Sequence, residues 1–187
     1  MNSAIQMYAL GLDQIATSIL KGGDKRTVLV QGHMGTGKSS LLTTLSRDLP
    51  KHTPCYFDCT TKDLGDITIP KMNQLDDADY VSYATNEELG AHHKTPIILM
   101  IDEYGKANPA VKNALLRVML ERKIGGYTLH PDSIVFATTN LGAEGVGDLI
   151  PPIARNRITV VTARKPDNTE WIEWGINNGV DHTLLGW

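Results

Sequence analysis

The chain is poor in cysteine, in long apolar runs and in net charge of either sign. Only Cys55 and Cys59 occur in 187 residues, so no disulfide framework holds it, and such usage fits a reducing compartment. No apolar stretch approaches the ~20 residues of a membrane span. The first residues, MNSAIQMYAL, lack a basic segment followed by an apolar one, so no secretory signal is expected. The reading is a soluble cytoplasmic protein without a membrane partner. Charge nearly balances, 18 Lys+Arg against 21 Asp+Glu. A sequence-independent nucleic-acid binder would carry a basic excess to meet phosphates, so nucleic acid is not an expected partner. Internal repeats and low-complexity segments are also missing.

What is present is an ordinary globular composition, 41% hydrophobic and 21% charged, which excludes disordered and fibrous classes. Residues 3–21 carry Tyr8, Leu12, Ile15 and Ile19 at helical spacing before Gly22-Gly23, and predict an amphipathic helix. TVLVQ at 27–31 predicts a buried first strand. Residues 38–49 return to helical spacing, with Pro50 as the stop. CYFDC at 55–59 predicts a second strand. Residues 60–96 read as an irregular insertion with a short helix near Thr85–Leu89. PIILMID at 96–102 is apolar throughout and predicts a strand buried on both faces. Asn108 then caps a helix with Pro109 as its first residue. Val111, Leu115, Val118, Met119 and Arg122 line one face of that helix, and Gly125-Gly126 is its expected stop. YTLHPDS at 127–133 suggests a small hairpin. IVFATTN at 134–140 and ITVVTA at 158–163 are strands four and five, and residues 168–178 begin a last helix. Alternating strands and helices argue an α/β fold, a three-layer αβα sandwich on a mainly parallel sheet. The core domain is expected over 1–165, with 166–187 opening a C-terminal helical segment.

Between the first strand and the next helix stands Gly32-His33-Met34-Gly35-Thr36-Gly37-Lys38-Ser39, a complete G-x-x-x-x-G-K-S/T motif in its required context. Gly35 and Gly37 permit the backbone to curl so that successive N–H groups face phosphates. The helix start at Ser39-Ser40 adds its positive end. Lys38 meets β/γ-phosphate charge and Ser39 is a candidate Mg²⁺ ligand. His33 and Met34 occupy permissive positions of the loop.

Asp102-Glu103 ends the most apolar strand, at the carboxyl edge where α/β sheets bind ligands. Asp102 is the second candidate for Mg²⁺, and Glu103 for polarising an attacking water. Asn140, closing Thr138-Thr139-Asn140, is placed to bond a γ-phosphate and that water together. Arg155 and Arg157, in Ala154-Arg155-Asn156-Arg157, precede strand five. Either is a candidate arginine finger on the sheet's carboxyl side, against the simpler reading of surface ion pairs.

The combination resembles the AAA+ ATPases and, within them, the MoxR-like group. It does so through GHMGTGKS at 32–39, ILMIDE at 98–103, NPAVKNALLRVMLERKIGGYTLHPDSIVFATTN at 108–140 and LIPPIARNRITVV at 149–161, with DNTEWIEW at 167–174 similar to the family's following segment. The resemblance implies a five-stranded sheet in the order 5-1-4-3-2, ATP and Mg²⁺ as ligands, and a homo-oligomeric ring, usually hexameric, with ATP between subunits. It implies sensor 1 at Asn140, a finger supplied in trans by Arg157 ahead of Arg155, and a hairpin over 120–133. Chaperone-like remodelling of a protein substrate is implied as well, beside a partner with a von Willebrand A domain. The family's helical lid, with its second sensor arginine, has no counterpart in the sequence through Trp187.

Cys55, Cys59, His52, His92 and His93 show no C-x-x-C or H-x-x-x-H spacing, so zinc is not expected. Trp171, Trp174 and Trp187 suggest a packing or partner surface, and Asp58 a residue that helps set Glu103. Competing readings are a small-molecule kinase, a DNA-handling ATPase of the loader or replication type, and a nucleotide-binding interaction module without turnover.

Overall fold

The computed structural model describes residues 9–76, 78–141, 150–154 and 156–185. Its central sheet has six strands: β1 (Ala9–Leu10), β2 (Thr27–Gly32), β3 (Thr53–Asp58), β6 (Ile97–Asp102), β9 (Ile134–Asn140) and β10 (Ile158–Ala163). Their order is β1-β10-β2-β9-β6-β3, and every pairing is parallel. Omitting β1, this is the expected order 5-1-4-3-2. The sixth strand is the addition.

The strand sequences dictate the layers. In β2, β6 and β9 consecutive residues are apolar, so alternate side chains feed both faces. Val28, Val30, Ile98, Met100 and Phe136 pack with Ile15, Ile19, Leu41 and Leu45 of α1 (Leu12–Gly22) and α2 (Ser40–Asp48). Leu29, Leu99, Ile101, Val135 and Ala137 pack on the opposite face with Val111, Leu115, Val118 and Met119 of α3 (Pro109–Glu121). This is the three-layer αβα sandwich. β3, at the edge, buries only Cys55 and Phe57 fully, so it is not buried on both faces as the inner strands are.

Several local expectations are corrected. The helix read over 3–21 begins at Leu12, because Ala9 and Leu10 pair with Thr162 and Ala163 and are drawn into the sheet. Tyr8 lies outside the described residues. α2 starts at Ser40 and ends at Asp48, one residue inside each expected bound or two. The 60–96 segment is not irregular: β4 (Thr68–Leu75) and β5 (Ala78–Thr85) form an eight-residue antiparallel hairpin. Its side chains are mostly exposed, Ile69, Met72, Leu75, Tyr80, Val81 and Tyr83 among them. The short helix near its end is a 3-10 turn, Glu87–Leu89.

α3 is capped as expected, Val111 N–H donating to the Asn108 side chain at 2.9 Å. It ends earlier than Gly125-Gly126, at Arg122 in the left-handed region (φ 57°). The two glycines instead turn a hairpin between β7 (Lys123–Ile124) and β8 (Tyr127–Thr128), within 120–133, of which only the second strand falls in the 127–133 segment. Arg122 is the one charged residue of the expected apolar face, and it folds back as a clamp. Its guanidinium donates to Thr27 Oγ1 at 2.5 Å, Met119 O at 2.8 Å and Gly23 O at 2.8 Å, and burial pulls its pKa down to about 10. The last helix, α4 (Asn168–Asn177), is capped by Asp167 and followed by α5 (His182–Leu185). Trp171 and Trp174 stack on α4 and stay about half exposed, while Trp187 lies outside the described residues.

Candidate functional site

Parallel register brings the carboxyl ends of four strands to one edge. Gly32 pairs with Asn140, and Asp58 with Asp102. The motif residues therefore meet although they lie far apart in sequence, in the crevice this sheet type offers to ligands.

The phosphate loop leaves β2 at Gly32 and enters α2 at Ser40. Gly35 (φ 74°) and Gly37 (φ 83°) occupy the left-handed region that L side chains avoid. A Cβ on Gly37 would also sit 2.9 Å from Leu12 Cδ1, so α1 closes down on the loop only because glycine is there. Thr36 is buried and its hydroxyl donates to His33 O at 2.9 Å, bracing the curl. Ser40 Oγ donates to Gly37 O at 2.7 Å. Ser39 is exposed and does not cap the helix. His33 and Met34 are exposed at the rim.

Lys38 is buried, and its ammonium donates to Gly32 O (3.0 Å), His33 O (2.9 Å) and Asn140 Oδ1 (3.0 Å). Burial pulls its pKa below the ordinary lysine value, against the attraction of Glu103 and Asp102 and with the repulsion of Lys106. Asn140 Nδ2 in turn donates to Glu103 Oε1 (2.6 Å) and Oε2 (2.9 Å). Lys106 forms an ion pair with Glu103 Oε2 at 3.3 Å. Glu103 itself stands in the left-handed region (φ 52°), a strained position for a non-glycine residue.

Asp102 is buried and held from three sides: by the Thr138 hydroxyl, by the Glu103 N–H at 3.0 Å and by the Tyr56 hydroxyl at 2.9 Å. Tyr56 and Lys106 were absent from the sequence reading. Tyr56 lies on an edge strand with no motif to mark it. Lys106 had a signal, its three-residue spacing from Glu103, which becomes a contact only once residues 104–106 form a 3-10 turn. Asp58 does not reach Glu103 by any described bond; it accepts from Thr60 N–H at 2.9 Å and caps the turn after β3.

Arg157 is exposed, and its expected position is corrected. Ile158 pairs with Thr27, at the start of β2, so Arg157 sits at the amino edge of the sheet. It lies a strand's length, about 17 Å at ~3.3 Å per residue, from the phosphate loop. Arg155 lies outside the described residues.

Beside the loop runs a cleft of about 850 Å³, lined by His33, Met34, Asn140, Thr162, Arg164 and Lys165 among others. That is the size class of a small-ligand pocket. Arg164 is tied there to Glu170 of α4, a pairing that pulls the Glu170 carboxyl down to about 2. The donor chemistry suits a nucleoside triphosphate with Mg²⁺: a curled N–H loop, a buried ammonium, an exposed Ser39 hydroxyl and a fixed carboxylate at Asp102.

A parallel αβα sandwich with this loop at its carboxyl edge defines the class, a P-loop nucleoside-triphosphate-binding domain. Residues 28–165 match the ATPase family associated with various cellular activities (AAA), and the chain belongs to that family. No curated protein matches it in sequence. Among solved structures it is similar in fold to a protein of Cytophaga hutchinsonii described as an ATPase, at 18% identity and TM-score 0.62 over 95% of this chain and 54% of that one. It is also similar to a variant of RuvB from Thermotoga maritima, at 18% identity and TM-score 0.57 over 88% of this chain and 50% of that one. A third is NtrX from Brucella abortus, at 16% identity and TM-score 0.55 over 92% and 43%. The chain spans about half the length of these structures. Among the described residues no helix is long and apolar enough to cross a membrane.

Proposed function

We propose that the chain binds ATP with Mg²⁺ at residues 32–39 and hydrolyses it. The observation that carries this reading is the continuous bonding of Lys38, Asn140 and Glu103 across three strand ends, beside Asp102. Lys38 now spends its donors on loop carbonyls and Asn140; a β/γ-phosphate competes for them with full negative charge and draws the ammonium onto itself. Asn140, freed from Lys38, keeps its amide N–H₂ on Glu103 and turns its oxygen to the attacking water. Glu103 accepts that water's proton as the oxygen attacks the γ-phosphorus and the bond from phosphorus to the β–γ bridging oxygen breaks, with ADP as leaving group. Ser39 and, through water, Asp102 would hold Mg²⁺, which would supply charge neutralisation on the phosphate oxygens.

Arg157 cannot serve its own subunit's loop from the amino edge, so we assign it to a neighbour's γ-phosphate. That makes the working unit a homo-oligomeric ring, hexameric by resemblance. Remodelling of a protein substrate in the MoxR-like manner, beside a von Willebrand A domain partner, rests on the sequence resemblance.

Phosphate release without any acceptor, measured for the parent, Lys38→Ala and Glu103→Gln, tests the reading. Lys38→Ala is expected to lose tight nucleotide binding. Glu103→Gln is expected to bind ATP as the parent does and turn over about 10²–10⁴-fold more slowly. A parent that binds ATP yet releases no phosphate, alone or concentrated, leaves a nucleotide-binding interaction module instead.

A further inference from the structure

Counting acceptor sites on Asp102 exposes a residue that the motifs do not include. A carboxylate offers about four lone-pair sites. Oδ1 accepts from the Thr138 hydroxyl and from the Glu103 N–H, and Oδ2 accepts from the Tyr56 hydroxyl. Among the described residues three sites are taken, and one on Oδ2 remains.

Tyr56 reaches this carboxylate diagonally. Its own register partner is Met100, and Asp58 is the partner of Asp102. Packing does not account for the side chain's course. Tyr56 is 45% exposed, whereas its neighbours Cys55 and Phe57 belong to the core. On an edge strand with half its surface in water, the hydroxyl could be satisfied by solvent, yet it donates to the buried acid. The bond makes sense as service to Asp102. Thr138 and the Glu103 N–H hold one oxygen and the Tyr56 hydroxyl holds the other, so each carboxylate oxygen has a fixed donor and the acid's orientation is secured from both ends.

We propose that Tyr56 is a positioning residue for Mg²⁺, fixing Asp102 so that a single Oδ2 lone pair is left for a metal-bound water. The proposal rests on the ATPase reading above. It places the third support of Asp102 on the edge strand, outside every recognised motif. Partners of directly ligating residues contribute about 10–100-fold to metal affinity; acting through a water-bridged Asp102, Tyr56 is expected at the low end, up to about 10-fold.

Calorimetric titration of ADP into the parent and Tyr56→Phe, each in excess Mg²⁺ and in EDTA, tests it. Phenylalanine keeps the ring and removes only the hydroxyl. The expected result is equal ADP affinity in EDTA and a Mg²⁺-dependent gain in affinity that is several-fold, up to about 10-fold, smaller in Tyr56→Phe. An unchanged Mg²⁺ gain overturns the proposal. So does an equal loss with and without the metal, which makes Tyr56 a support of the loop. A parent that binds ADP with no gain from Mg²⁺ also overturns it, while a parent that binds no nucleotide at all overturns the ATPase reading itself.

Discussion

Asn140 grips Glu103 by both carboxylate oxygens, at 2.6 and 2.9 Å, while its own oxygen accepts from Lys38 at 3.0 Å. The candidate base and the candidate phosphate ligand are thus coupled through one amide.

Asn140→Ala severs that coupling and removes a preorganised donor. Loss of one such donor costs about 10²–10³ in rate. Turnover is expected to fall by about that factor, with ATP affinity within a few-fold of the parent. Steady-state phosphate release beside calorimetry checks this, and equal losses in both would mean Asn140 acts on binding alone.

If Arg157 serves a neighbour's loop, as proposed, activity depends on subunit contact. Specific ATPase activity is expected to rise with protein concentration. Arg157→Ala should abolish the rise at a cost of about 10³–10⁵ in rate while nucleotide binding persists. Mixing Arg157→Ala with Lys38→Ala should restore some turnover, since one subunit offers the loop and the other the arginine. Absence of rescue where the subunits demonstrably associate would falsify the trans assignment.

Burial pushes the Cys55 thiol up to about 11 and the Cys59 thiol to about 12. Thiolate is scarce at pH 8, so alkylation of the native protein should be slow and become fast only on unfolding. The unfolded thiols release their protons near pH 8.5, before the native ones do. Their stabilising contribution is therefore present below that pH and lost as pH rises toward 11–12. Iodoacetamide labelling and melting curves between pH 7 and 11 read both effects; rapid native labelling at pH 8 contradicts the burial.

Asn108 closes the first turn of α3 by accepting from Val111 N–H. Asn108→Ala should cost about 1 kcal/mol and lower the melting temperature by roughly 2–4 °C. Asn108→Ser should recover most of it. A melt unmoved by Asn108→Ala would show that the cap contributes nothing beyond what solvent supplies.

The inner strands were legible because their apolar runs admit one environment, a sheet covered on both faces. The β4–β5 hairpin was not. It buries little, carries Pro70 within a strand, and holds together by its backbone ladder, so no hydrophobic period announces it. β1 is two residues long and exists only because β10 lies beside it. Arg122 read as one more residue of a helix face, whereas the fold turns it inward to join α3 to the start of β2 and to Gly23 after α1.

What the sequence determined by itself is local. The glycines at 35 and 37 meet backbone angles that a phosphate loop demands, Asn108-Pro109 sets a helix start, and 96–102 has no polar face to offer water. These requirements are satisfied or broken within a few residues. The tertiary structure decided which distant groups touch: Tyr56 with Asp102, Asn140 with both Lys38 and Glu103, and Arg157 a strand's length from its own loop. Those relations follow from strand order and parallel register, which arise when two faces of apolar side chains are buried together, and no short-range preference in the chain encodes them.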